Sequence, residues 1–166
     1  MKTRLQEDIM WTGGVRVIVI DDENRILMVK QKHQERTLWT VPGGQIEDGE
    51  DSRTAGIREV LEETGLQIEI KGLIWHVEEV GDRGQRFVNF FLAKPEASSR
   101  GVVPKLGKDP EFGPDEQVLD DVRFMSAEEL AGLENVYPER LKDELWEKLA
   151  DGSLEYDAFR RRDGLF

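Results

Sequence analysis

The chain has 166 residues, a length typical of one domain, and it contains no cysteine. The absence of cysteine excludes a disulfide framework, thiolate zinc sites, iron–sulfur ligation and a cysteine nucleophile. The formal net charge of −12 disfavours tight binding to nucleic acid polymers or anionic membranes, and it repels nucleotides unless divalent cations lie between the two.

The start of the chain shows no targeting signal, because residues 1–10 lack the apolar stretch of a signal peptide. The longest apolar run, residues 17–20, is far shorter than a membrane span requires. We therefore expect a soluble protein of the cytoplasm that binds no membrane.

The first part of the chain is predicted to form strands. β-branched residues dominate 15–20, turn residues occupy 21–24, and 26–29 is expected to return as the second strand of a hairpin. A polar connection over 31–37 leads to a strand at 38–41, which ends at Pro42, Gly43 and Gly44. The two glycines indicate a sharp turn or a close approach of the backbone to another group.

The remaining elements follow from apolar patterns and capping residues. We expect a helix over 51–64 with Gly65 as a left-handed cap, β structure at 67–80 and 85–93 around a turn, and a strand at 118–125. Ser126 and Glu129 have the spacing of a capping box that opens a short helix, and Pro138 is expected to start a helix that reaches about residue 149.

The domain is expected to cover residues 1–150, with 151–166 as a frayed C-terminal tail. Residues 94–114 form one long irregular segment, rich in proline and glycine. Loops of this length are either functional or disordered.

The helix after the glycines carries an acidic face. At about 100° per residue, Glu59, Glu62 and Glu63 lie on one side of it. The opposite side is expected to face the core and holds Ile57, Val60, Leu61 and Thr64. The small residues Ala55 and Gly56 share the acidic side, which we interpret as room for a bulky ligand.

Like charges at this spacing destabilise a helix by roughly 0.2–0.5 kcal/mol per pair. Arg58 is the only basic neighbour, so a divalent cation, Mg²⁺ or Mn²⁺, is one explanation for the cluster. The alternative is an acidic helix that faces solvent. The glycines upstream favour the metal, because they leave space for a phosphate chain beside it.

These residues resemble the Nudix box of the MutT-like Nudix hydrolases. Residues 44–50, a gap of seven and residues 58–66 match all nine specified positions of that motif, and the wider resemblance covers about 15–130. It implies a single-domain α/β/α sandwich around a mixed β-sheet. It also implies Mg²⁺-dependent hydrolysis, with Mn²⁺ as an alternative, of a nucleoside diphosphate linked to a further group.

The resemblance further implies a set of metal ligands: the backbone carbonyl of Gly44 and the carboxylates of Glu50, Glu59, Glu62 and Glu63. Arg58 would orient a glutamate, and Glu62 or Glu63 would act in catalysis. In this family the general base is sometimes a later loop glutamate instead. The candidates here are Glu111 and Glu116, of which Glu116 is preferred because it lies just before the strand at 118; solvated loop residues are the alternative.

Substrate contacts are expected at Gly43 and Gly44, and also at Lys32 and Arg36, which belong to a basic cluster in an acidic chain. An ordinary solvated connection is the alternative for the two basic residues. Trp39 and Trp75 are candidates to stack on a base, although a tryptophan beside a strand is more often part of the core.

Two functions from different classes are left open. The first is a hydrolase of nucleoside triphosphates, nucleoside diphosphate sugars, dinucleoside polyphosphates or dinucleotide cofactors. Asp82 and Arg83 stand where an ADP-ribose type would have proline, which favours a triphosphate or a less common substrate. The alternative is a non-catalytic Nudix domain for nucleotide sensing or interaction; a purely structural acidic domain is a third reading. A homodimer is also open, because dimers are common in this family.

Overall fold

The computed structural model describes residues 12–81, 84–108 and 118–152. The strands within these ranges are β1 (Thr12–Val19), β2 (Ile26–His33), β3 (Arg36–Thr40), β4 (Gly43–Gln45), β5 (Ile68–Gly81), β6 (Gly84–Pro95), β7 (Leu119–Met125) and β8 (Val136–Tyr137). The α-helices are α1 (Ser52–Thr64), α2 (Ala127–Ala131) and α3 (Glu144–Asp151). None of these helices is long and apolar enough to cross a membrane.

The strands form two four-stranded sheets, both of them mixed. The first has the order β4-β1-β6-β5, in which β1 and β6 are parallel and the other neighbours antiparallel. The second has the order β7-β2-β3-β8, in which only β3 and β8 are parallel. The expected mixed α/β class is confirmed, and the expected single sheet is divided into two.

The predicted hairpin between the first two strands is wrong. β1 and β2 belong to different sheets and share only a bridge between Ile20 and Ile26. Because both faces of β1 are apolar and buried, β1 lies inside its sheet between β4 and β6.

The polar connection predicted at 31–37 is instead the end of a hairpin. β2 continues to His33 and pairs with β3 from Arg36, with Gln34 in the turn at a positive φ of 56°. Polar side chains do not prevent this pairing, because the outer end of the hairpin is exposed to solvent. The glycines after Pro42 form the short edge strand β4, so the sharp turn that was one of the two expectations for them is not observed.

The helix predicted over 51–64 is confirmed as α1. The Asp51 side chain accepts a hydrogen bond from the backbone N–H of Thr54 at 2.9 Å, and Gly65 ends the helix in the left-handed region at φ 74°. The capping box of Ser126 and Glu129 at the start of α2 is confirmed as well. The helix predicted from Pro138 is divided into a 3₁₀ turn at Glu139–Leu141 and α3, which begins after Asp143.

Part of the long irregular segment is attached to the end of α1. The backbone N–H of Lys105 donates to the carbonyl of Thr64 at 2.9 Å, and that of Gly107 donates to the carbonyl of Glu63 at 2.8 Å. These bonds satisfy two of the carbonyls that a helix C-terminus leaves open. The segment therefore packs directly against the helix that carries the glutamates.

The core lies on both sides of the sheets. Alternate residues of β1 point to opposite faces, so that Val15, Val17 and Val19 pack in the layer that includes α1. Ile18 and Ile20 pack in the other layer, which includes residues of α2 and α3. The layered arrangement places α1 against β1 and β4, and so next to the glycine pair of β4.

Candidate active site

The acidic side of α1 is turned partly toward the protein, so that only Val60 and Thr64 of the predicted core-facing stripe are buried. Glu59 and Glu63 are 3% and 1% exposed, whereas Ile57 and Leu61 of the expected core-facing stripe are 40% and 45% exposed. The helix is rotated because Val60 and the small residues, rather than the larger aliphatic ones, pack on the sheet.

The two small residues of α1 serve packing and not ligand space. Ala55 and Gly56 are both buried, and a Cβ on Gly56 would lie 2.9 Å from Cγ2 of Val17 and 3.3 Å from Cγ2 of Val15. Glycine thus permits the close approach of α1 to β1. This corrects the interpretation that these positions leave room for a bulky ligand.

The buried glutamates meet the glycine pair of β4. The backbone N–H of Gly43 donates to Oε2 of Glu63 at 3.3 Å. A Cβ on Gly44 would lie 2.6 Å from Cδ of Glu59 and closer still to Oε1. Gly44 is therefore required so that the Glu59 carboxylate can lie against the backbone, which supports the prediction of a close approach at these glycines.

Arg58 connects the carboxylates on this surface. It makes a bidentate contact with Glu50, from Nε to Oε1 at 2.7 Å and from Nη2 to Oε2 at 3.0 Å. Its Nη1 donates to Glu59 at 3.0 Å and to Glu62 at 3.1 Å, while Nη2 also donates to the carbonyl of Gln45 at 3.0 Å. One guanidinium therefore joins three carboxylates to the backbone of β4.

This network shifts the ionisation of its members. The hydrogen bonds from Arg58 lower the pKa of Glu50, and the hydrogen bond to Glu50 is the main cause that raises the pKa of Arg58. Both groups therefore stay charged over the whole neutral range. Among the three glutamates of α1, Glu62 is the most accessible, with 31% of its side chain exposed.

The donor set fits a hard divalent cation. Carboxylate and carbonyl oxygens are the ligands that Mg²⁺ prefers, and the buried Glu59 and Glu63 carboxylates lie beside the carbonyl-bearing Gly44. Among the described residues, no group of three or more histidine, aspartate or glutamate side chains is arranged so that it could already hold a metal ion. The fit thus rests on the chemistry of the donors, and the ligand set of Gly44, Glu50, Glu59, Glu62 and Glu63 stays a prediction.

Two arginines that the sequence analysis did not single out lie at the same glycines. Nη1 of Arg16 in β1 donates to the carbonyl of Val41 at 2.9 Å. Nη2 of Arg86 in β6 is 3.4 Å from the carbonyl of Gly44. The available signal was an arginine inside an otherwise apolar strand, VRVIVI, which requires a specific partner.

A tyrosine joins the two sheets next to Arg16. The hydroxyl of Tyr137 in β8 donates to the Glu79 carboxylate in β5, and the Arg16 guanidinium lies 5.9 Å from the centre of the Tyr137 ring. Burial and the hydrogen bond to Glu79 raise the pKa of Tyr137 to about 12. The hydroxyl therefore keeps its proton at neutral pH.

The predicted basic contacts lie elsewhere. Lys32 and Arg36 are exposed at the outer end of the β2–β3 hairpin, and no hydrogen bond or ion pair in the described structure joins them to Gly43 or Gly44. Their role in substrate binding stays a prediction. Glu111 and Glu116 lie outside the described residues.

The tryptophans have different surroundings. Trp75 is buried and packs edge-on against Phe90 at 5.9 Å, as expected for a core residue. Trp39 is only partly buried, and its ring lies 5.9 Å from Nζ of Lys30 and 5.4 Å from Cζ of Arg123.

The architecture and the box residues agree with a known family. A family model described as the NUDIX domain matches residues 10–147. The chain belongs to this family. A NUDIX hydrolase from Nitrosomonas europaea, 19% identical, superposes with a TM-score of 0.68 over 93% of this chain and 99% of that one, which confirms the Nudix fold.

Curated relatives of this NUDIX chain include proteins with different substrates in their names. The ADP-ribose pyrophosphatase of Bacillus subtilis is 41% identical over 66 residues, which are 39% of this chain and 36% of that protein. The 8-oxo-dGDP phosphatase NUDT18 of Mus musculus is 36% identical over 107 residues, 64% of this chain and 30% of that protein. The chain spans only about a third of the length of these two relatives.

Proposed function

We propose that this chain is a Mg²⁺-dependent hydrolase that cleaves the diphosphate linkage of a nucleoside triphosphate or another nucleoside diphosphate-linked compound. The observation that carries the proposal is the burial of the Glu59 and Glu63 carboxylates against Gly43 and Gly44. Burying two carboxylates costs several kcal/mol each unless cationic or hydrogen-bonding partners compensate. A bound metal and the Arg58 network together supply that compensation.

Each residue of the proposed site has a distinct part. A divalent cation bound by the box carboxylates would neutralise charge on the phosphate oxygens. Arg58 fixes the carboxylates of Glu50, Glu59 and Glu62, so that they need no reorganisation when substrate binds. In this proposal Glu62 accepts a proton from the attacking water, and its exposure, the largest among the α1 glutamates, supports that role.

The substrate class follows from the same site and from the relatives. The glycine pair of β4 brings the Glu59 and Glu63 carboxylates against its backbone, and a cation held there would bind a phosphate chain whatever group the chain carries beyond it. The named relatives act on ADP-ribose and on an oxidised nucleoside diphosphate, so both kinds of compound belong in a substrate panel. A cytoplasmic location, a homodimer and a general base at Glu116 stay predictions.

The test is hydrolysis of a nucleotide panel with and without Mg²⁺, in which released phosphate is measured. Pyrophosphatase is added for the triphosphates, and alkaline phosphatase is added for ADP-ribose and the sugar nucleotides, whose cleavage products are phosphate monoesters. We expect Mg²⁺-dependent turnover of at least one compound. Glu63→Gln should lower that turnover by on the order of 100-fold or more. Glu134→Gln, which changes an exposed glutamate outside the site, is the matched control.

Two outcomes would contradict the proposal. Turnover that survives in Glu63→Gln would show that this carboxylate is not required. Nucleotide binding without turnover of any compound in the panel would support the non-catalytic sensing domain instead.

A further inference from the structure

The two arginines next to the glycine pair share one face of a sheet. β1 and β6 are parallel neighbours in which Gly14 is opposite Val88, and Arg16 and Arg86 lie on the face opposite to α1. Arg86 extends over Gly14, where a Cβ would lie 2.6 Å from its Nε and 2.9 Å from its Cζ. The missing side chain at Gly14 thus allows the Arg86 guanidinium to lie near Arg16.

The hydrogen-bonding capacity of this pair is largely unused. A guanidinium has five N–H donors, yet in the described structure Arg16 donates to one acceptor and Arg86 makes one long contact of 3.4 Å. Nε of Arg86 is buried without a hydrogen-bond partner in the described structure. Neither arginine forms an ion pair with a carboxylate of the described residues.

The carboxylates near the pair do not offset the effect of burial on Arg16. Burial lowers the pKa of Arg16, the Glu63 carboxylate opposes this shift, and the neighbouring Arg86 adds to it. Glu79 is opposite Arg86 in the β5–β6 register, its charge also opposes this shift, and its carboxylate accepts the Tyr137 hydroxyl. Two like charges with unpaired donors are unfavourable together unless an anion binds between them.

We propose that Arg16 and Arg86 bind a phosphate group of the substrate, next to the phosphate that a cation at the box carboxylates would bind. This inference rests on the proposed function and adds a second phosphate subsite to it. The glycine pair of β4 lies between the two subsites, because Gly43 donates to Glu63 and Gly44 accepts from Arg86. A guanidinium fork matches two phosphate oxygens, which lysine cannot reproduce.

The arrangement makes the arginine pair a determinant of substrate choice. A substrate with at least two consecutive phosphates spans both subsites, whereas a monophosphate reaches only one. We therefore expect pyrophosphate to bind more tightly than phosphate, and we expect the pair to act mainly on substrate affinity.

The probe is inorganic pyrophosphate in the presence of Mg²⁺, and its binding to the full chain is measured by isothermal titration calorimetry; the cation is included because the acidic cluster repels the anion without it. Arg86→Gln should weaken its binding by about 10-fold or more, which is the loss of a hydrogen bond to a charged group. The KM of a hydrolysed nucleotide should rise by a similar factor, with kcat changed only a few-fold. Arg86→Lys should recover part of the affinity, because it restores charge without the fork.

Two further variants complete the test: the first changes the position of the Arg86 guanidinium without removing it, and the second is a control. Gly14→Ala keeps both arginines but adds a Cβ 2.6 Å from Nε of Arg86, so it should also weaken pyrophosphate binding. Arg140→Gln removes an arginine that is 57% exposed and paired with Glu144 at 3.4 Å, and it should change neither the Kd nor the KM.

The outcomes distinguish this inference from the proposed function. Normal hydrolysis with an unchanged pyrophosphate Kd and KM in both Arg86→Gln and Gly14→Ala overturns the arginine subsite and leaves the hydrolase proposal standing. Pyrophosphate binding that depends on Arg86, in a protein that hydrolyses no nucleotide, supports the subsite and overturns the hydrolase proposal. A wild-type protein that does not bind pyrophosphate overturns the subsite, even if it hydrolyses nucleotides.

Discussion

The glycine pair of β4 separates two regions of opposite charge. On the α1 side, Arg58 joins carboxylates that lie close together in the sequence, and its donors are well used. On the other side, Arg16 and Arg86 come from strands far apart in the sequence, and their donors are mostly unused. A complete network indicates a region that is organised before substrate binds, whereas an incomplete one indicates a region that a ligand completes.

Gly44→Ala is the strongest test of the acidic region. The added Cβ would displace the Glu59 carboxylate, which lies at the flexible end of a side chain, so the fold should tolerate the change. We expect kcat to fall by on the order of 100-fold while the melting temperature changes little. Gly132→Ala is the matched control, because its Cβ would be 3.6 Å from the nearest atom; unchanged kcat in Gly44→Ala would show that the Glu59 position is unimportant.

Arg58→Ala should have the next largest effect, because it removes the group that joins three carboxylates to β4. We expect turnover to fall by about 10–100-fold and the free energy of unfolding to fall by about 1–3 kcal/mol. Arg58→Lys should recover only part of both, since lysine cannot contact Glu50 through two parallel hydrogen bonds. Full activity in the lysine variant would show that the charge suffices without the network. Kinetics and urea unfolding measure these effects.

Gly56→Ala tests the rotation of α1. The higher helix propensity of alanine would raise the free energy of unfolding by about 1 kcal/mol. Overpacking against Val17 would lower it by about 1–3 kcal/mol. We therefore expect a net loss of about 1 kcal/mol in urea unfolding. Thr54→Ala, at an exposed position of the same helix, should instead be neutral or slightly stabilising. A more stable Gly56→Ala variant would restore the interpretation of an open ligand space.

Tyr137→Phe should have the smallest effect on stability, and the feature that identifies it is the titration of the hydroxyl at alkaline pH. An unfolded tyrosine titrates near 10, and the folded pKa of Tyr137 is raised to about 12, so the folded state retains this proton longer. Its contribution to stability is present below about pH 10 and is lost as the pH rises through about 12.

The absorbance of tyrosinate at 295 nm measures this titration directly. The chain has two tyrosines, Tyr137 and Tyr156, so the phenylalanine variant leaves one of them. We expect the Tyr137→Phe variant to lose the titration step with the higher midpoint. A variant that retains that step would show that Tyr137 titrates normally and that its contact with Glu79 is weak.

The features that were predicted correctly from the sequence depend on residues that lie close together along the chain. The bounds and caps of α1, the box glutamates and the capping box of Ser126 all follow from spacings of three or four residues. The rotation of α1 did not follow, because a helix with both acidic and apolar sides can turn either one toward a sheet. The charge on Glu59 and Glu63 suggested that they are exposed. Both carboxylates instead lie against the backbone of β4, and the periodicity of the helix sequence does not reveal such a contact.

Contacts between strands that lie far apart along the chain could not be predicted from the sequence either. The division of the strands into two sheets depends on which strand pairs with β1, and the apolar pattern of β1 is compatible with several partners. Arg16 and Arg86 meet only because β1 and β6 are parallel neighbours and Gly14 has no side chain. The sequence indicates that Arg16 needs a partner within an apolar strand, but it does not indicate that Arg86 lies beside it.

Glu63 is held at both ends: its carboxylate by the N–H of Gly43 and its carbonyl by the N–H of Gly107. The second attachment means that shortening or lengthening the 100–108 segment would pull on the backbone of a catalytic candidate from outside the box. Variation in that loop is therefore a route by which turnover can be adjusted while every residue of the motif is conserved.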